Sequence, residues 1–203
     1  LSDFNYIEPQ TLYSEQAVQN TYASMGRLRA LKYTNVRFEE VMHNDSAQLD
    51  AHVLMTKSKD KSLAFEVEGT NSAGDWGAAA SMTFQHKNLF KGSETFTFKV
   101  RGAFEAITGL EDGYETDDYK EYGIESSLNF PSFMFPFLSS DFKKKIRATS
   151  EVGIKFNSQL RPEFTRTLAS ASWSYRWTDK TRSQHRFDLL DINYIYVPWK
   201  SEL

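Results

Sequence analysis

Residues 75–104 read DWGAAASMTFQHKNLFKGSETFTFKVRGAF, and this stretch decides the fold class. Apolar and polar side chains alternate on both sides of a short polar turn, which is the period-two pattern of β-strands. Each arm continues for more than ten residues. Strands in soluble proteins usually have about 5 to 6 residues, whereas a tilted strand that crosses a bilayer needs about 9 to 11. The stretch therefore predicts a hairpin of membrane-spanning length, with Asn88 and Gly92 supplying the positive φ angles of its turn.

The rest of the chain after residue 61 follows the same pattern. In the segment 143–157, the set from Ile146 to Phe156 alternates with a polar set that contains Arg147 and Lys155. A basic residue facing lipid near the midplane costs about 2 to 4 kcal/mol, so we expect the basic residues to face a polar lumen. Aromatic residues gather at strand ends, as in the belts of membrane proteins: Trp173, Tyr175, Trp177, Tyr194, Tyr196 and Trp199. The predicted strands are 62–69, 76–87, 94–108, 119–130, 143–157, 164–178 and 184–197.

The first 60 residues have a different pattern. Ser14 is a suitable N-cap for a helix over 14–31, which Gly26 weakens by about 1 kcal/mol. Two strands, 33–42 and 49–57, follow around a turn at Asn44-Asp45-Ser46. A helix followed by a hairpin is part of a small α+β module.

Composition excludes several classes of protein. The net charge of −3 gives no electrostatic basis for binding nucleic acid. The chain has no cysteine, which excludes a disulfide framework and a thiolate metal site. Its mean hydropathy of −0.55 argues against a transmembrane helix. The low average is compatible with a membrane barrel, because only every second residue of a barrel strand touches lipid.

No catalytic group, cofactor site or metal site is predicted. The four histidines show no metal-ligand spacing, and the pair of Ser72 and His86 has no motif that would support a hydrolase. The acidic run from Glu111 to Asp118 could bind calcium, but a solvated loop is the favoured interpretation. For Lys143-Lys144-Lys145, contact with lipid phosphates and an ordinary strand end are equally favoured.

The order of these pieces resembles a known family. Residues 13–18 (YSEQAV), 28–33 (LRALKY) and 36–38 (VRF) resemble the C-terminal part of a POTRA domain. They are followed by 68–77 (EGTNSAGDWG) and 86–94 (HKNLFKGSE), and later by 130–137 (FPSFMFPF) and 193–198 (NYIYVP). Together they look like the last POTRA and first barrel strands of outer-membrane assembly factors of the BamA/TamA superfamily, of a Bacteroidetes-like type.

The resemblance implies a fold, a function and partners. It implies a mainly β fold with two parts: the C-terminal part of an α+β POTRA domain over 1–60, in the periplasm, and an incomplete antiparallel barrel of the outer membrane over 61–203. It implies a non-enzymatic insertase whose partners are nascent outer-membrane proteins, accessory assembly subunits and outer-membrane lipid. In the family, the first barrel strand templates client strands, a role that would fall here on Ala64, Phe65, Glu66, Val67 and Glu68.

This chain also departs from the family. The start of the POTRA domain is missing or reduced to residues 4–7, and the family's lid motif is absent because Arg101-Gly102 is followed by Ala103. Seven strands are fewer than the even number, eight or more, of single-chain bacterial barrels, so we expect the chain to be part of a longer protein. Two other functions stay open: a passive channel or receptor barrel, and a soluble β-sandwich that binds a partner.

Overall fold

The computed structural model describes residues 4–43, 46–72, 75–107, 118–135, 146, 148–179 and 183–200. The described part of the chain is mainly β, with 69% of the described residues in strands, which confirms the predicted fold class at this level. In the described residues one α-helix precedes nine strands. Their bounds are α1 Glu15–Met25, β1 Leu31–His43, β2 Ser46–Lys57, β3 Lys61–Ser72, β4 Asp75–His86, β5 Thr95–Ala106, β6 Asp118–Phe130, β7 Thr149–Leu160, β8 Phe164–Thr178 and β9 Gln184–Lys200.

The helix is shorter than predicted. Ser14 is its N-cap, as expected, and its hydroxyl accepts a hydrogen bond from the N–H of Ala17 at 3.3 Å. The helix ends at Met25 because Gly26 forms the C-cap, and the predicted end at residue 31 was wrong. Helix α1 packs on the β1–β2 hairpin, where the hydroxyl of Tyr22 accepts a hydrogen bond from the N–H of Val36 at 2.8 Å. We call residues 4–60 the N-terminal module.

The seven strands β3 to β9 form one antiparallel sheet in which each strand pairs with its neighbours in the chain. Five of the predicted strands start within one residue of the observed start, and the strand predicted at 184 starts there. The strand predicted at 143–157 is β7, which begins at Thr149, where Thr149 pairs with Arg176 of β8. Residues 146 and 148 are not in a strand, and residues 143–145 and 147 lie outside the described residues. Within the described residues, the sheet does not close into a barrel.

Strand register divides the sheet into two faces, because residues directly opposite in an antiparallel ladder lie on the same side. One face is mostly apolar, and much of it is exposed: Leu63, Phe65, Val67, Ala78, Ala80, Met82, Phe84, Phe98, Val100, Phe104, Ile124, Leu128, Val152, Ile154, Phe156, Ala169, Ala171, Leu190 and Ile192. The other face is mostly polar: Glu66, Glu68, Ser81, Thr83, Lys99, Arg101, Glu125, Ser127, Glu151, Lys155, Ser172 and Arg176. Lys155 lies on the polar face, and Arg147 lies outside the described residues. That the polar face lines a lumen stays a prediction.

The turn between β4 and β5 differs from the sequence prediction. Positive φ angles occur at Lys91 (66°) and Ser93 (71°), and the predicted positive φ angles at Asn88 and Gly92 were wrong. Asn88 instead accepts a hydrogen bond from the N–H of Ser93 through its side-chain oxygen, at 3.0 Å. The carboxylate of Glu94 accepts from the N–H of Gly92 at 3.0 Å, and a Cβ at Gly92 would lie 2.2 Å from that carboxylate. This carboxylate is the end of a flexible side chain, so a larger residue at position 92 would displace the carboxylate of Glu94 and weaken its hydrogen bond.

Connections alternate between the two ends of the sheet. The end where β3 starts, next to the N-terminal module, also holds the β4–β5 turn, the long 131–148 connection and the β8–β9 connection. The longest connection therefore lies at the module end, which differs from the pattern of short periplasmic turns and longer extracellular loops. Residues 111–117 of the acidic run, Lys143-Lys144-Lys145 and the predicted turn residues Asn44 and Asp45 lie outside the described residues.

Candidate functional site at the edge strand β3

The five predicted templating residues lie in the middle of β3, at one edge of the sheet. On one side they pair with β4, where Ala64 lies opposite Thr83 and Glu68 opposite Ala79. No described residue pairs with the other side of β3. About half of the N–H and C=O groups of this 12-residue strand point away from β4, since an antiparallel strand directs them alternately to its two sides.

Side chains of β3 alternate between the two faces of the sheet. Phe65 and Val67 lie on the apolar face and are 70% and 82% exposed. Ala64, Glu66 and Glu68 lie on the polar face. A strand that added to this edge would meet a ladder of backbone groups with apolar side chains on one side and carboxylates on the other.

Ion pairs hold β3 to the sheet across its polar face. A carboxylate oxygen of Glu66 lies 3.8 Å from Nζ of Lys99, and one of Glu68 lies 3.2 Å from Nη2 of Arg101. Both pairs reach over β4 to β5, which the small side chains of Ala79 and Ser81 permit. Because these side chains are partly exposed, each pair contributes at most about 1 kcal/mol.

Both ends of β3 are also tied down. At its start, the carbonyl of Asp60 accepts a hydrogen bond from the N–H of Lys87 at 2.7 Å. Near its end, the hydroxyl of Thr70 donates to the carboxylate of Glu105 at 2.9 Å, across Gly77 of β4. A Cβ at Gly77 would lie 2.3 Å from Cγ of Glu105, so only glycine leaves room for this bridge. The strand is fixed at both ends and along one side, while its outer side stays open.

Aromatic residues line both ends of the apolar face. At the end far from the module they are Trp76, Phe104, Tyr122, Tyr194 and Tyr196, and at the module end they are Phe84, Phe96, Phe98, Phe130, Tyr175, Trp177 and Phe187. Trp76 and Phe84 lie about 26 Å apart along β4.

A short segment after β6, Ser132 to Phe135, folds back over the module end of the apolar face. We call it the strap. The hydroxyl of Ser150 accepts from the N–H of Met134 at 2.8 Å and donates to the carbonyl of Ser132 at 3.0 Å. The ring of Phe133 packs edge-on against Tyr175 with centroids 4.6 Å apart. Ser150 and Tyr175 are consequently 0% and 2% exposed, the deepest burial in the described sheet.

The sequence also raised two other kinds of site, a metal site and a hydrolase pair of Ser72 and His86. No group of three or more His, Asp or Glu among them could hold a metal ion. Ser72 and His86 stand at opposite ends of the β3–β4 hairpin, since His86 pairs with Lys61, about 37 Å along the strand from Ser72. They therefore cannot meet as nucleophile and base. None of the described helices is long and apolar enough to cross a membrane.

Sequence reasoning missed two structural centres, Ser93 and Ser150. Ser150 is completely buried under the strap, although its place in an alternating strand predicts only an apolar-face position. Ser93 accepts a hydrogen bond from the N–H of Ala30, 63 residues earlier in the chain. No local sequence pattern predicts a partner at that distance.

Comparison with protein-family models, with curated proteins and with solved structures found no significant match.

Proposed function

We propose that this chain belongs to an outer-membrane assembly factor of the BamA/TamA type and inserts β-barrel proteins by strand templating at β3. In this proposal the N-terminal module is the C-terminal part of a POTRA domain in the periplasm, and β3 to β9 are the first strands of an incomplete barrel. The apolar face contacts lipid and the polar face lines the lumen. The partners are nascent outer-membrane proteins, accessory assembly subunits and outer-membrane lipid, and no cofactor takes part.

The observation that carries the proposal is the open outer side of β3 in a sheet whose apolar face is exposed. An unpaired backbone group in lipid costs several kcal/mol, so a client strand that enters the membrane unpaired meets a very large barrier. Pairing with a strand edge that is already extended removes this cost for one side of the client. Templating of this kind needs no covalent chemistry.

Single-cysteine crosslinking tests the proposal, with any cysteine outside residues 1–203, which contain none, first replaced by serine. Ala64→Cys and Val67→Cys place a thiol at the open strand in the full-length protein. Ser127→Cys and Ile124→Cys are matched controls on the polar and apolar faces of β6, which is paired on both sides. With a stalled client that carries one cysteine in its last strand, we expect crosslinks at residues 64 and 67 and none at 124 or 127.

Equal crosslinking at all four positions would show random contact, and no crosslink at β3 while client folding proceeds would exclude templating by this strand. Either result would overturn the proposal.

The polar face favours a second candidate function, that of a passive channel or receptor barrel. Besides the pairs at β3, it carries ion pairs between Glu125 and Lys155 at 3.6 Å and between Glu151 and Arg176 at 3.4 Å. Charged residues of both signs are suited to a water-filled wall. Steady ion conductance of the full-length protein in planar bilayers, together with normal barrel assembly after its depletion, would favour this function over the insertase.

A soluble β-sandwich is the third candidate. It requires a partner surface over the exposed apolar face, because a patch of this size otherwise causes association. A monodisperse monomer in buffer without detergent would favour this candidate and contradict the membrane proposals.

A further inference from the structure

Three separate segments of the chain meet at the peptide groups of Arg29 and Ala30. The N–H of Ala30 donates to the hydroxyl of Ser93 at 3.1 Å. The carbonyl of Ala30 accepts from the N–H of Ser58 at 2.8 Å, and the carbonyl of Arg29 accepts from the hydroxyl of Ser58 at 2.7 Å. The junction thus joins the loop after α1, the link between β2 and β3, and the β4–β5 turn.

The hydrogen bond at Ser93 is shielded from water. Ser93 and Ala30 are buried, and Leu28 beside them is only 2% exposed. A buried N–H that loses its partner keeps its full desolvation cost, so this bond contributes more than one at the surface. The Ser93 to Ala30 bond is also a tertiary bond, because it links the N-terminal module to the sheet.

The backbone at Ser93 is a second reason to assign it a role. Its φ of 71° lies in the left-handed region, where a non-glycine residue is uncommon and carries strain. Glycine would remove that strain but has no hydroxyl to accept from Ala30. A serine at a position whose φ angle suits glycine indicates that the hydroxyl group has a structural role. Lys91, in the same turn, has a φ of 66° and an exposed side chain, which makes it a matched control.

The junction is next to the proposed templating strand. Residues 58–60 lead directly into β3, and the carbonyl of Asp60 is held by the N–H of Lys87, just before the β4–β5 turn. A change in the position of the module would therefore move the first residues of β3.

We propose that Ser93 is a latch that fixes the N-terminal module against the sheet and holds the start of β3 in its extended, client-ready conformation. The latch itself is a property of the fold, and its effect on clients rests on the proposed templating function. When the latch opens, the module separates from the β4–β5 turn and the first residues of β3 fray, while the centre of the strand stays paired with β4.

Hydrogen exchange of the full-length protein tests the latch without any client. Ser93→Ala removes the hydroxyl and keeps the strained backbone, whereas Ser93→Gly removes both. We expect the amides of Ala30, Ser58 and the first residues of β3 to exchange about ten- to a hundredfold faster in both variants, which is the effect of losing a buried hydrogen bond. Lys91→Gly relieves strain in the same turn without touching the latch, and its exchange at these amides should equal that of the parent.

If the amides of Ala30, Ser58 and the start of β3 exchange at the parent rate in the Ser93→Gly variant, Ser93 serves only the turn and the latch proposal is overturned. The same holds if neither variant changes exchange, or if Lys91→Gly accelerates it equally.

Client crosslinking then separates the latch from its consequence. In the Ser93→Ala background, we expect the crosslink yield at Leu63→Cys to fall about fivefold and the yield at Val67→Cys to stay unchanged. Equal yields in both backgrounds, with faster exchange, would overturn the effect on clients and leave a structural latch. A parent protein without crosslinks at either position would overturn the templating function and the effect on clients, while the exchange result would still decide the latch.

Discussion

Glycines in the sheet differ sharply in what surrounds them. A Cβ at Gly77 would lie 2.3 Å from Cγ of Glu105 and 2.5 Å from the carbonyl oxygen of Phe104. A Cβ at Gly102 would meet no heavy atom within 4 Å. We therefore expect Gly77→Ala to destabilise the sheet by about 1 to 3 kcal/mol through overpacking. Gly102→Ala should be neutral or stabilising by up to about 1 kcal/mol, because glycine within a strand has a high entropic cost.

Urea unfolding of the full-length protein in lipid vesicles, followed by tryptophan fluorescence, measures both variants. A Gly77→Ala variant as stable as the parent would show that the bridge between Thr70 and Glu105 does not require the close approach at residue 77.

Residue chemistry explains what the sequence could and could not predict in the β4–β5 turn. Asn and Gly correctly marked the location of the turn, because both residue types favour turns. The positive φ angles occur instead at Lys91 and Ser93. Asn88 accepts a hydrogen bond from the N–H of Ser93, and the N–H of Gly92 donates to the carboxylate of Glu94. The constraint on Ser93 comes from Ala30, which is remote in sequence.

At the scale of elements, the position of the strap over the sheet depends on the side chain of Ser150. Ser150 bonds both the N–H of Met134 and the carbonyl of Ser132. Ser150→Ala leaves these two groups without their partner, so we expect the strap to be destabilised locally by about 1 to 3 kcal/mol. Limited proteolysis with chymotrypsin should then cleave after Phe133 at least tenfold faster than in the parent.

Ser158→Ala is the control for the strap, because Ser158 lies on the same face of β7 and its hydroxyl lies 3.4 Å from that of Thr167, away from the strap. Equal cleavage of the Ser150→Ala variant and this control would contradict a role for Ser150 in holding the strap.

The elements themselves were largely predictable, and the errors have physical causes. Period-two alternation located the long strands because one face of each is largely apolar. It also placed Ile146 and Ala148 in β7, which begins at Thr149, since alternation does not report where pairing with the neighbouring strands begins. The helix was extended to residue 31 because Leu28 continues the helical spacing, although Gly26 already ends it.

At the scale of the whole molecule, the candidate site depends on strand order. The alternation of Ala64, Phe65, Glu66, Val67 and Glu68 predicts a strand, but it does not show whether that strand is central or at an edge. The resemblance to assembly factors placed it first in the sheet, and the described sheet has β3 at an edge. Templating by that edge stays a prediction, because an edge is necessary for strand addition but does not identify the strand that is added.

The orientation of the two faces toward lipid and water is the most general consequence of the membrane proposals. Ile154 lies on the apolar face of β7, midway between the two aromatic ends, and is 60% exposed. Ser127 lies on the polar face of β6, one strand away, opposite Gly153. If the apolar face contacts lipid, Ile154→Lys costs about 2 to 4 kcal/mol near the midplane, whereas Ser127→Lys adds a charge on the lumen side and costs little. Folding yield and urea stability in lipid vesicles should therefore fall for Ile154→Lys and stay near the parent values for Ser127→Lys. Equal tolerance of the two lysines would show that neither face contacts lipid, and the reverse order would place lipid on the polar face.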